Sequence, residues 1–422
     1  MDLALSTGAT DLELEPLAKP VRFPMIAHRA VVAWTAATVA VLLLVGMVAL
    51  WWDRDRPGNG ARPATGVIDP YLAIVVDQSP DARWSGKDVP RGLGHALGRE
   101  RCLLESGEAT LQLDNGVELV LRAPAELQLY SVDHGELYRG QLSARVSEEA
   151  TGFRMDAPGL NVVDLGTEFS LAVDGSGQPK VHVFKGKVSA ALPSLPDSRT
   201  ELTAGESARF DVTRGTVKIG PEDPALFPAL PDEAVVPRTM GDVRFLRRAP
   251  ESVQAGTYEH NAIIVFEEQA DVALPEELTV VRSAWLQQEA PQPSVPEKVT
   301  LPAGTRVRSY YVHFDRVGKG GRDVESKGSI TFDRPVLGMV IPFMALKQTD
   351  AWLAHAETTY EAGANRILEM RFMGWKPNTQ RPNTSGRYDE IHLSEDGRTL
   401  TMDLLTGWAI DQFRVVVKAD EE

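Results

Sequence analysis

The sequence predicts a mostly β protein, with two β domains carried behind a single N-terminal transmembrane helix. Three features lead there. Between Ala30 and Trp52 no charged residue interrupts an apolar run. After it, apolar residues recur at every second position in short segments punctuated by Gly, Asn, Asp and Pro, the pattern of half-buried strands and tight turns. That remainder holds no long stretch with the three-to-four spacing of an amphipathic helix.

Residues 1–29 are a polar tail in which Pro16, Pro20 and Pro24 prevent a long helix. The segment 30–52 follows. At about 1.5 Å per residue it reaches across a hydrocarbon core of about 30 Å, and Trp51 and Trp52 suit the headgroup zone. It exceeds the apolar core of a cleaved signal peptide, roughly 7–15 residues, and no small-x-small cleavage site precedes Asp53. Lys19, Arg22 and Arg29 before it balance Arg54, Arg56 and Arg62 after it, so charge alone leaves the orientation open. Residues 53–66, rich in Pro, Gly and Arg, read as a flexible stalk.

The first β domain is expected at 67–213. Leu111, Leu113, Val117, Leu119, Leu121, Leu127 and Leu129 alternate around Asp114-Asn115-Gly116, a strong hairpin signal. The stretches "GELYRGQLSARV" and "VHVFKGKVSAAL" repeat that rhythm, and Lys185-Gly186-Lys187 reads as a solvated hairpin turn. Residues 214–250 hold Pro221, Pro224, Pro228, Pro231 and Pro237 and read as an interdomain linker, extended and open to protease. A second β domain, a sandwich, is expected at 251–418. Its strands include "YEHNAIIVFEE", "RVRSYYVHFDRV" and "DQFRVVVKA", with "QTDAWLAHAETTY" as a short helix or loop.

The 422-residue chain carries a net charge of -15 and no dominant basic patch, which argues against a nucleic-acid partner. Its one cysteine, Cys102, permits no intramolecular disulfide and, beside Leu103 and Leu104, reads as a buried filler thiol. No Cys/His cluster has zinc spacing, and no cofactor is expected.

Residues 107–211 carry a family resemblance. The segments "GEATLQLDNGVELVLRAPAELQL", "GELYRGQLSARV", "GFRMDAPGLNVVDLGTEFSLAV", "VHVFKGKVSAAL" and "LTAGESARF" follow one another in the order seen in FecR-like domains. The resemblance implies a β-roll or sandwich exported beyond the inner membrane, and a relay of outside signals to a sigma factor. Founding members place a helical, sigma-binding domain before the span. Here residues 1–29 stand there, with Leu12, Leu14 and Leu17 as the apolar points of a linear docking segment. The expectation is a retained sensor half related to a sigma factor directly or indirectly, without the usual helical domain for direct anti-sigma activity, single-pass in the inner membrane, its bulk in the periplasm.

Within "DLGTEF", Asp164 and Glu168 flank a Gly-Thr step. Gly166 permits a bend that a Cβ would hinder, and Asp164 and Thr167 can bond nearby backbone N–H groups to fix it. Phe169, Leu171 and Val173 then point into the core, with Glu168 and Ser170 facing the other way. A catalytic carboxylate pair would lie about 5–9.5 Å apart, as in glycoside hydrolysis. Four residues of extended strand span about 13 Å. With no nucleophile, metal ligands or oxyanion hole nearby, the motif reads as a structural corner and the protein as a non-enzyme. His182, facing away from Val181 and Val183, reads as a surface or hydrogen-bonded side chain.

The stretch from Leu301 to Ile341 resembles a β-sandwich module of exported bacterial proteins, marked by a Gly-Thr step, a Ser-Tyr strand, "HFD", "GSITFD" and "VLG". His313 and Asp315 share a strand face with Tyr311. They form an edge-strand hydrogen-bond pair, a metal site, or a site where His313 and Asp315 bond a sugar and Tyr310 or Tyr311 stacks on it. The "GKGGRDVESKG" loop lacks the set oxygen positions of a calcium loop. Trp352, Trp375 and Trp408 are platform aromatics in the sugar reading and core residues otherwise. Two functions follow. One is a membrane-anchored, signal-sensing or regulatory protein that binds an envelope protein or ligand. The other is an adhesive protein whose C-terminal sandwich binds glycan.

Overall fold

The computed structural model describes residues 71–420 apart from 88–91, 196–198, 222–223, 233–235, 259, 283–296, 316–323, 364–365, 367, 369–388 and 407–409. The expected tail 1–29, span 30–52 and stalk 53–66 lie outside them, as do Trp375 and Trp408. Among the described residues no helix is long and apolar enough to cross a membrane.

The hairpin at Asp114-Asn115-Gly116 forms as expected, with Gly116 at φ +87° joining Glu108–Leu113 to Glu118–Ser131. The alternating apolar positions from Leu111 to Leu129 are all buried in one core. Glu118–Ser131 bends midway: its first half pairs with Glu108–Leu113 and its second with Cys102–Ser106. It also hairpins with His134–Arg145, which in turn pairs with Glu168–Val173. Among the described residues fifteen strands join this sheet, which ends at one edge in Ser207–Asp211 and Thr216–Gly220. Phe153, Phe169, Leu171 and Phe210 meet in its core, each contributing about 1.5–3 kcal/mol by leaving water. Cys102 is buried there, and burial pushes its thiol up to about 12.

A sandwich follows. Seven strands run in the order Val243–Leu246, Ile263–Ala273, Arg306–Phe314, Asp411–Lys418, Val336–Val340, Leu278–Val281, Lys298–Leu301. Four more form the facing sheet: Arg238–Gly241, Val324–Thr331, Thr399–Thr406 and Glu390–Leu393. Val265, Tyr310, Val312 and Phe413 from one sheet meet Ile330, Leu400 and Met402 from the other. The opposite face of the seven-stranded sheet is covered as well. There Phe266, Tyr311 and Val416 pack with Leu346 and Leu353 of the helix Phe343–Leu353. A sheet buried on both faces needs apolar residues at consecutive positions, which accounts for the Val415-Val416-Val417 run.

Residues 214–250 depart from the expected linker. Thr216–Gly220 pairs with Ser207–Asp211, Arg238–Gly241 pairs with Val324–Thr331, and Val243–Leu246 runs parallel to Ile263–Ala273. The prolines fall in the connections, where a missing N–H removes no ladder bond. The expected boundaries at 213 and 250 therefore do not divide the chain into independent bodies: from Val67 to Glu422 it forms one compact unit. The physical reason lies in the strand Ala73–Gln78, apolar on both faces. Ala73 and Val75 enter the core of the first sheet, while Ile74 and Val76 enter the core beside the helix. Arg247 N–H donates to the Val76 carbonyl at 2.9 Å, and ion pairs Arg244–Asp114 (2.9 Å) and Arg247–Glu118 (2.7 Å) tie the seam.

Candidate functional site

Asp164 is fully buried at the "DLGTEF" corner. Its Oδ2 accepts from the Gly166 N–H at 2.8 Å and its Oδ1 accepts from the Thr167 hydroxyl. Burial pushes this carboxyl above the usual range, and those hydrogen bonds pull against it. Gly166 has φ +93°, and a Cβ there would meet nothing within 4 Å, so its demand is the backbone angle alone. Gly186, at φ +78°, adds a close approach: a Cβ would collide with the Gly166 carbonyl and lie 2.9 Å from Thr167 Cγ2. The two corners are stacked. Asn161–Asp164 pairs with Lys187–Ala191, whereas Glu168–Val173 pairs with Pro179–Lys185. Lys185-Gly186-Lys187 is thus a second corner between strand rows and not the expected hairpin turn, because its flanking strands have different partners.

Glu168 does not face Asp164 as a partner. It accepts from Arg145 Nε at 3.1 Å, and Arg145 also reaches Glu118 at 3.2 Å and the Pro231 carbonyl at 2.8 Å. Phe169, Leu171 and Val173 enter the core as expected, and Ser170 takes the other face. That face is buried too. Ser170 Oγ lies 2.6 Å from Ser143 Oγ, which donates to the Pro228 carbonyl at 2.6 Å. His182 bonds Ser207 Oγ through Nδ1 at 2.7 Å, and its ring stacks on Phe227 at 5.4 Å between centroids. The proline-rich segment is the cover.

Tyr311 and His313 share one face of Arg306–Phe314, and both are buried. Tyr310 is buried on the opposite face, in the sandwich core. Of the alternatives the sequence left open, stacking of Tyr310 or Tyr311 on a sugar has no exposed ring to use, because the facing sheet covers Tyr310 and the side of the helix covers Tyr311. The Tyr311 hydroxyl donates to Gln412 Oε1 at 2.9 Å and accepts from Arg366 Nη2 at 2.7 Å. Gln412 Nε2 donates to His313 Nδ1 at 2.7 Å and to the Val253 carbonyl at 2.6 Å. Asp315 accepts from the Gly256 N–H, pinning a loop. Trp352 is partly buried against the core beside the helix.

These residues belong to a larger buried network. Glu268 accepts two bonds from Arg414, at 2.7 Å and 2.9 Å, and one each from Ser309 Oγ and Tyr360 OH at 2.7 Å. Arg414 Nη2 also donates to Asp350 Oδ1 at 2.6 Å, and its Nη1 donates to the Leu346 carbonyl at 2.9 Å. Asp350 in turn accepts from Arg366 at 2.7 Å. Burial opposes the charges of Asp350 and Arg414, yet their partners prevail: Asp350 is lowered and Arg414 raised. Two guanidiniums thus offset two carboxylates through charge-assisted hydrogen bonds, which lock the helix to the sheet. Glu268, Asp350, Arg366 and Gln412 were not singled out from sequence. Arg414, the only charge within "FRVVV", was the available signal, since a charge within a buried strand demands partners. Among the described residues no group of three or more His, Cys, Asp and Glu is placed to hold a metal.

The family described as FecR protein matches residues 104–189, a span that holds the long hairpin and both stacked corners. It is narrower than the expected 67–213. A comparison with curated proteins finds no match. Two crystal structures of a candidate anti-sigma factor from Parabacteroides distasonis are similar over 29% of this chain and 60% of theirs, at 21% identity and a TM-score of 0.26. The chain therefore spans less than two thirds of that protein's length, and a likeness of that degree fixes neither fold nor role.

Proposed function

We propose that the chain is a non-catalytic regulatory protein of the cell envelope, anchored in the inner membrane by residues 30–52, with its FecR domain and C-terminal sandwich acting in the periplasm as one sensing body. The FecR match at 104–189 is the observation that carries this reading. The uncharged run from Ala30 to Trp52 supports the anchor. The relation to a sigma factor is proposed as indirect, through an envelope partner. The glycan-binding alternative finds no support in Tyr310, Tyr311 and His313, whose side chains are buried.

A strain lacking the chain should change transcription from promoters that share one alternative sigma factor, and the full chain should restore it. A reporter active only in the cytoplasm should stay silent when fused after Glu422. Unchanged transcription, combined with lost attachment of cells to glycan surfaces, would replace the regulatory reading by the adhesive one.

A further inference from the structure

The strand Thr216–Gly220 is the edge of the fifteen-stranded sheet: it pairs with Ser207–Asp211 on one side and with no described strand on the other. Val217 lies opposite Phe210, and Ile219 opposite Ala208. Phe210 and Ala208 are in the core. Val217 and Ile219 thus carry the apolar row one strand past its cover, and they are 40% and 51% exposed. Leu195, 44% exposed, lies against the adjoining turn at Gly215. The other face of this edge carries a cross-strand row of cations, with Asp211 beside Arg209 and held by Arg214. Lys180, Arg209 and Lys218 are direct cross-strand neighbours, in a chain whose net charge is -15. Arg209 has Asp174 nearby, and Lys218 stands outermost and exposed.

An edge strand with an apolar row on one face and a basic row on the other is matched by one kind of addition. We propose that Thr216–Gly220 is a docking edge for an extended segment of a partner protein in which apolar residues alternate with Asp or Glu. Main-chain hydrogen bonds add that segment to the sheet. Its apolar side chains cover Val217 and Ile219, and its carboxylates face Lys218, the outermost cation. A second copy of this strand fits worse, because antiparallel pairing centred on Lys218 sets ammonium against ammonium. The inference goes beyond the sensing role and does not depend on membrane orientation.

The test uses the full chain in detergent and two labelled synthetic hexapeptides, one alternating Leu with Glu and the other Leu with Lys. The acidic peptide should bind saturably in fluorescence anisotropy, and the basic one about tenfold or more weakly. Lys218→Glu should reverse that preference, and Ile219→Asp should abolish binding. Both side chains are exposed, so thermal melts of the two variants should match the parent. Absent binding, equal binding of both peptides, or an unchanged preference in Lys218→Glu would overturn the proposal. A dimer in sedimentation that Ile219→Asp dissolves would overturn it as well, giving the edge to a second copy.

Discussion

His260 and His313 sit fully inside the protein with hydrogen bonds that suit the neutral ring. His260 Nδ1 accepts from the Ala262 N–H at 3.1 Å while Nε2 bonds the Gly94 carbonyl at 2.8 Å, and His313 Nδ1 accepts from Gln412. Burial pushes His260 down to about 4, with Arg244 and His95 adding repulsion, and burial plus His260 pushes His313 down to about 3. In the unfolded chain both rings titrate near about 6.5. Above that pH both states are neutral and the full stability is present. As pH falls below it, the unfolded chain takes up protons that the fold refuses until about 4 and about 3. Stability should therefore drop by about 1.4 kcal/mol per pH unit for each ring. Denaturant midpoints between pH 7.5 and 5 should show this slope, and His313→Gln should remove its share. A slope indifferent to that substitution would refute the assignment.

The helix Phe343–Leu353 and the strand Asp411–Lys418 are joined by polar atoms as much as by apolar ones. Replacing Arg414 by Met leaves Glu268 buried without its cation, at a cost of about 3–5 kcal/mol. The double variant Arg414→Met, Glu268→Leu should lose far less stability than the sum of the two single losses in a denaturant-unfolding cycle. Additive losses would mean the two side chains act independently. Elements whose period shows on one face were legible: Leu111 to Leu129 alternate around the Asp-Asn-Gly turn because one side of that hairpin is core. Legibility ended where a second face is covered from afar. Alternation placed Ser170 and His182 away from Phe169 and Val183, but nothing local announces that Phe227 and Pro228 lie over them. Tyr311, His313 and Asp315 stood out as a cluster, whereas Glu268, Asp350 and Arg366 converge only through the fold.

At the scale of the whole molecule, the strand Ala73–Gln78 and the strand Val243–Leu246 make the two β regions dependent on each other. A fragment of residues 251–418 lacks Val243–Leu246 from its sheet and Ile74 and Val76 from its core. It should lose a cooperative melt, while residues 67–422 unfold in one transition. Limited proteolysis followed by mass measurement checks this: a resistant core ending near 213 or starting near 250 would contradict it. The shared strand is also the first strand met along the described chain. Any tension applied through the residues before Leu72 loads Ala73–Gln78 first, and that strand is a wall of two cores at once. Peeling it away from Glu108–Leu113 would uncover both together, so a mechanical pull at the N-terminal end acts on the protein as a single breaking point.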